Sequence, residues 1–474
     1  MSGRAHPVMI LTNLRRVLFL LIIPALHGVL TVPRGGLVLW LQGAWLDSLT
    51  LIVMLVISVL MWRRCTYTCT SAGITVFQGL LFSHRTTIAW SNIVTLSCVT
   101  PFFARMLRAS FFRADTVSGS FRDVDIRLWL SSNTVNEIMA HYHFAFSASE
   151  AKVTYKSTKA SVLALALLSS SALTGVVFAA AVLSQASKLF GKEFSDSLIL
   201  GLEQTARGLT IGIPPAATAI AYMLLLGWFI AALKKLLSYW HLKVERKINS
   251  IDIKSGRLGL QRYIISTKAP AFLDIRQTLG MRLAGTSVLY ISAAGYGKHK
   301  NDIACVLPAM RKAAFEREYA KLFTGLLPSP VKIRPKRNGF LPYIIQPLCI
   351  IFSLVAAAAT AFSFAARFGS FILFMLLMLL VPALVLLAVS IAAYRTSGIS
   401  RSGDAYTLRY SRGFALHTVV VPAHKIVGLD INQNFFQRRA DVCHIAVSAV
   451  SERQYKHKCL GLPIREVKAL FDID

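Results

Sequence analysis

The side chains best suited to chemistry in this 474-residue chain are few and scattered. Glu137, His141 and His143 lie close together, and Cys443 adjoins His444. A His-x-His pair shares one face of a strand but lies about 200° apart on a helix, and the pattern over residues 133–144 is helical, so His141 and His143 are not expected to converge on one ion. Cys65 and Cys69 are four apart, but no second Cys/His pair at zinc-finger spacing accompanies them. Seven cysteines, odd in number and irregular in spacing, do not read as a disulfide framework. No paired-carboxylate or nucleophile–base spacing occurs. Gly79, Gly119, Gly280, Gly285 and Gly295 stand singly in turns rather than in a phosphate loop. No catalytic, cofactor-binding or metal-ligating residue is therefore assigned, and the chain is not expected to be an enzyme.

The remaining chemistry is that of contact. Phe102-Phe103-x-Arg105 and Phe435-Phe436-x-Arg438 pair large apolar rings with a guanidinium, a combination suited to a membrane surface, arginine on phosphate and rings at the acyl boundary. In alternating β-structure one of two adjacent phenylalanines faces outward, so a membrane or a partner is expected to cover it. Arg282 occupies the corresponding place midway along the chain. Lys234-Lys235 and the run Lys332, Arg334, Lys336 and Arg337 are basic clusters beside apolar stretches. Each such residue contributes about 1 kcal/mol of attraction to an anionic leaflet, and together they also orient the neighbouring helices.

Those clusters belong to a chain-wide alternation. The composition is 55% hydrophobic with a formal net charge of +30, too apolar for an ordinary soluble domain. Six apolar runs occur: 17–32, 46–62, 161–183, 209–233, 340–364 and 371–394. Between them lie basic segments, with 11 Lys/Arg against 5 Asp/Glu over residues 63–160, 21 against 6 over 234–340 and 12 against 7 over 395–474. Basic loops stay on the cytoplasmic side. This predicts six transmembrane helices in three hairpins, with both termini and all three basic segments cytoplasmic. Arg15-Arg16 before the first run also suits a signal peptide, but no small-residue cleavage site follows and a second apolar run begins at once, which favours a retained helix. The apolar runs hold almost no ionisable residue, which argues against a pump or ion-coupled transporter. Pro214-Pro215, Pro342, Pro347 and Pro382 read as tolerated kinks rather than broken helices at a substrate site. No base-reading motif accompanies the charge, so no nucleic-acid partner is expected.

The polar segments repeat. At an offset of 333 residues Ile88 falls on Val421, Ile93 on Ile426, Leu96 on Leu429, Phe102 on Phe435, Phe103 on Phe436 and Arg105 on Arg438. The middle segment fits less fully, through Leu273, Leu279 and Arg282. Residues 108–115 read as an insertion relative to the third segment. Alternating stretches follow each arginine and predict strands. Helical patterns over 133–144, 302–323 and 463–471 close each segment, which suggests a small barrel or roll capped by one helix. The domains expected are 1–62, the basic start with helices 1–2; 63–152; 160–234, helices 3–4; 235–330; 340–394, helices 5–6; and 395–474.

This order, two membrane helices and then a β-rich segment with an I-x-x-L…F-x-x-R core and a terminal helix, resembles the bacterial pleckstrin-homology-like membrane proteins (the bPH2 family of the YdbS/YdbT type). The three-unit arrangement is closer to the latter. Arg4-Ala5-His6-Pro7, Ile275-Arg276-Gln277 and Ala293-Ala294-Gly295 are similar to that family. The second unit departs from it by lacking the Ile and the Phe-Phe. The resemblance implies a mixed membrane protein in which each hairpin precedes a cytoplasmic PH-like barrel, a seven-stranded bent sheet plugged by a C-terminal helix. It implies a bacterial cytoplasmic-membrane location and a non-enzymatic scaffold or interaction role, in envelope stress or antimicrobial-peptide resistance. The partners implied are the bilayer's anionic headgroups and another membrane protein of the family. Lipid or peptide transport is the alternative. Neither residues nor resemblance supplies a cofactor.

Overall fold

The computed structural model describes residues 1–17, 48–80, 82–116, 125–146, 152–169, 215–257, 259–293, 296, 305–450 and 454–472. The calls on the first apolar run, on most of the third and on the start of the fourth lie outside them. Of the described helices, Arg337–Phe364 and Ala366–Thr396 are long and apolar enough to cross a membrane. Ser48–Arg63 and Lys159–Ser169 are shorter apolar helices, and Pro215–Tyr239 has 25 residues. Pro347 and Pro382 lie inside helices that continue through them.

Buried apolar side chains form three clusters, each centred on one polar segment and each drawing a few residues from a neighbouring one. The first gathers Ile74, Leu96, Phe112, Leu128 and Ile138, the second Ile253, Tyr263, Leu273, Leu289 and Tyr319, and the third Leu408, Val421, Ile445, Leu462 and Val467. Period-two burial makes the strands one-faced: Ile126–Ser131 alternates buried and half-buried along its whole length. Helices Ser132–Phe146, Lys312–Leu322 and Ile464–Leu470 close the three segments. The helix expected from residue 302 begins only at Lys312, because Cys305–Arg311 pairs as a strand with Thr286–Ala293.

The 333-residue offset extends well beyond the matching residues. Strand Ile93–Thr100, the one-turn helix Phe102–Met106 and strand Ala109–Thr116 recur as Ile426–Asn432, Phe435–Arg439 and Val442–Val450. Residues 108–115 are therefore no insertion: Ala109–Thr116 is the counterpart of Val442–Val450, hidden because the two share shape and little sequence. At an offset of 177 the middle segment supplies Pro270–Thr278, Leu279–Leu283 and Thr286–Ala293.

The chain before each apolar pair, a short strand at the first two and a single bridging residue at the third, returns to the strand after it. Ser2–Arg4 pairs with Thr66–Cys69, Val153–Lys156 with Lys243–Arg246, and Ile333 bridges Ile399. Both ends of each apolar pair are thus tied to one sheet. At the third hairpin Gly339 and Gly461 meet backbone to backbone, and a Cβ on Gly339 would lie 2.6 Å from the Gly461 carbonyl oxygen. Tyr343 donates to the Leu460 carbonyl at 2.9 Å.

The sheets run across segment boundaries. Ile126–Ser131, Ala109–Thr116 and Ile93–Thr100 continue into Leu260–Ser266, Ser250–Ser255, Lys243–Arg246 and Val153–Lys156 as one seven-stranded sheet. Cys305–Arg311, Thr286–Ala293 and Pro270–Thr278 continue into Ala415–Pro422, Ala405–Arg412 and Gly398–Ser402 as a six-stranded sheet. Both joints use one register in the repeat frame. Leu96 faces Ile264 and Leu273 faces Val420, and Ile264 and Val420 both correspond to Thr87.

Candidate functional site

The two phenylalanine pairs do not lie in strands. Each opens a one-turn helix between two strands, and both rings of each pair stand out: Phe102 is 49% exposed, Phe103 78%, Phe435 74% and Phe436 78%. The reason is local capping. Asn434 accepts from the Gln437 backbone while Gln437 returns a bond to Asn434, a capping box. Thr278 accepts from Met281 in the middle copy and Pro101 starts the first. The chain then leaves through a left-handed residue, Arg108, Gly285 or Asp441. The middle helix lacks the rings and rests on a neighbouring one: Thr278 Oγ1 donates to the Leu168 carbonyl at 3.1 Å, at the end of Lys159–Ser169.

The three arginines at the corresponding place, Arg105, Arg282 and Arg438, are exposed. Two of them border cavities, and these cavities are counterparts. A cavity of about 550 Å³ at the first sheet joint includes Thr100, Arg105, Ser110, Gln261 and Arg262. One of about 410 Å³ at the second includes Gln277, Arg282, Ser287, His417 and Thr418. In each, a polar pair forms the floor: Thr100 and Ser110 Oγ atoms are 2.7 Å apart, and Gln277 Nε2 donates to Ser287 Oγ at 2.7 Å. Each cavity also reaches the end of a long apolar helix, His241 just beyond Pro215–Tyr239 and Thr396 closing Gly369–Thr396.

The first cavity is basic. Among its described lining residues none is acidic, whereas Arg105, Arg108, Lys254 and Arg262 are cationic. Arg262 is offset by Asp252 at 2.7 Å, so Arg105 and Arg108 carry most of the free charge. Burial raises the Cys98 thiol's pKa, which keeps it protonated. In the second cavity Arg409 has a buried Nε with no partner among the described residues, and burial, then Arg334, lowers its affinity for a proton.

The second joint also holds a buried polar chain that sequence reading missed. His417 Nδ1 lies 3.0 Å from Asp274 Oδ1 across the joint, and Arg276 Nε donates to Asp274 Oδ2 at 2.6 Å. Tyr410 stacks on His417 at 5.3 Å and its hydroxyl meets His457 Nδ1 at 2.8 Å. Burial pushes Asp274 up, but His417 and Arg276 outweigh it and hold the carboxyl below its usual range. Burial brings His457 down to about 4. Asp274 and His417 are 143 residues apart. Two signals were legible: His417 repeats His84 at the 333 offset, and Asp274 and Asp430 share a Leu-Asp-Ile sequence.

Of the basic residues flanking apolar runs, Lys235 turns inward and donates to Ser169 Oγ at 2.7 Å. Lys234, Lys332, Arg334, Lys336 and Arg337 are exposed. The side chains of His141 and His143 lie outside the described residues, and among the described residues no group of three His, Cys, Asp or Glu could hold a metal ion.

Comparison with known proteins agrees with the repeat. The bacterial PH domain family model matches twice, over residues 18–143 and 347–473, together more than half of the chain. Each match begins in an apolar run and ends at or near a closing helix. The residues between the matches hold the middle strands and the helix Lys312–Leu322. No curated protein and no solved structure matches. With two copies of the family's segment, each carrying antiparallel sheets closed by a helix, the chain belongs to the bacterial PH domain family.

Proposed function

We propose that this protein is a non-enzymatic membrane scaffold of three PH-like domains, the middle one being a diverged third copy, resembling the three-unit YdbT type. In this reading three hairpins, six helices in all, anchor the array in the bacterial cytoplasmic membrane with both termini inside. Each domain takes its first strand from before its hairpin. The two long apolar helices support the membrane placement: only 6% and 11% of their most apolar windows is buried in the protein, so their apolar faces need another apolar medium.

The PH-like domains then bind the anionic headgroups of the bilayer. The observation that carries this is the pair of counterpart cavities, each with the repeat arginine and each beside the end of an apolar helix. A guanidinium there meets a phosphate at headgroup level, where charge-assisted bonds are strong. The exposed rings of Phe102, Phe103, Phe435 and Phe436 reach the acyl boundary beside them.

The test uses the full chain purified from native membranes, with co-purifying lipid quantified by mass spectrometry. Arg105→Glu and Arg282→Glu should each lower bound anionic lipid, at about 1 kcal/mol or roughly fivefold in affinity per charge removed, and leave neutral lipid unchanged. Anionic lipid retained at the wild-type level in the double variant would overturn the reading.

A further inference from the structure

Among the described residues two edge strands lack the neighbour that covers their repeat counterparts: His84–Ala89, at one end of the first sheet, and Ile426–Asn432, at one end of the last. These are the two positions that, elsewhere in the chain, pair with each other. Ile426–Asn432 corresponds to Ile93–Thr100 and Pro270–Thr278. His84–Ala89 corresponds to the strands that cover them, Leu260–Ser266 and Ala415–Pro422.

Burial shows what the open edges lack. Leu96 and Leu273 are 0% exposed, and so are the residues that face them, Ile264 and Val420. Their counterparts at the open edges, Leu429 and Thr87, are half-buried and exposed, and Val427 is 68% exposed. The side-chain chemistry matches as well. The occupied second joint is locked by Asp274 and His417. The counterpart of Asp274 is Asp430, in the same Leu-Asp-Ile sequence, and the counterpart of His417 is His84. One open edge therefore carries the acid and the other the histidine.

We propose that the chain assembles head to tail with a second copy of itself, Ile426–Asn432 of one copy pairing antiparallel with His84–Ala89 of the next. The register is fixed by the two existing joints: Leu429 faces Thr87, Asp430 faces Thr86, Ile431 faces Arg85 and Asn432 faces His84. An unpaired strand edge is a template for such addition. The contact joins two different surfaces, so it closes into a ring or extends as a chain. It also gives Arg438 the neighbouring strand that Arg105 and Arg282 already have.

The test is disulfide trapping of the full chain in native membranes. Opposed residues of an antiparallel pair lie about 4.5–5.5 Å apart at Cα, within disulfide reach. The Thr86→Cys/Asp430→Cys double variant should form reducible species of two or more chains, at least about tenfold above either single variant. The pair His84→Cys/Asp430→Cys, two residues out of register, should not. The wild-type chain in a mild detergent should have an integer multiple of the single-chain mass, which Leu429→Lys reduces. Equal trapping by both cysteine pairs would overturn the proposal. A wild-type single-chain mass with no trapping would do the same, as would trapping of a different protein by a single-chain species.

Discussion

His457 is 3% exposed, and its Nε2 has no partner among the described residues. Its pKa of about 4 lies below the ordinary histidine range because burial, more than any neighbour, disfavours the charged ring. The folded state thus binds fewer protons than the unfolded one between about pH 6.5 and 4, and stability falls as the pH is lowered through that window. The loss should approach about 3 kcal/mol at the acid end. Thermal unfolding of the full chain from pH 7.5 to 4.5 should show a falling midpoint. His457→Gln should flatten that fall, and an unchanged slope would reject the assignment. Asp274 has a depressed pKa as well, so its contribution is present above about pH 4 and is lost only further into acid. The scattered histidines gave little warning of this chain, because Asp274, His417 and His457 sit on three strands far apart in sequence, Pro270–Thr278, Ala415–Pro422 and Gln454–Pro463, that only the fold brings together.

At the scale of the element, the one-turn helices carry the lesson. Two adjacent phenylalanines in a β-rich segment read as strand, yet Asn434-x-x-Gln437 is a capping box written in the sequence, and it decides the local conformation. Both rings then leave the core together instead of one by one. Phe435→Ser and Phe436→Ser should accordingly change unfolding free energy by no more than about 0.5 kcal/mol. Ile445→Ala, at 1% exposure in the third core, should cost about 2–5 kcal/mol. Denaturation of the three variants checks this, and a loss of several kcal/mol at Phe436 would return that ring to a packed role. That the outer segments repeat was legible from Leu96/Leu429 and Arg105/Arg438; the short helix between the strands was not. The equivalence of Ala109–Thr116 and Val442–Val450 was not, since strands of one shape tolerate different side chains.

At the scale of the whole molecule, the sequence separates three basic segments but does not show that their sheets are shared. Strand pairing across a joint is a property of two edges, and edges leave no pattern beyond the alternation every strand has. Nor did the sequence show that Ser2–Arg4, Val153–Lys156 and Ile333 belong with strands on the far side of an apolar pair. These returns suit the proposed array, since the chain before and after each apolar pair meets in the same sheet. In that proposal the basic segments set the side. Alkaline phosphatase fusions test this placement most directly. A fusion near Ser197, in the connector of the second hairpin, should be active, and fusions near Ser118, Ser329 and the C-terminus should be silent. Strong activity at Ser118 or Ser329 would contradict a cytoplasmic array and with it the headgroup-binding role.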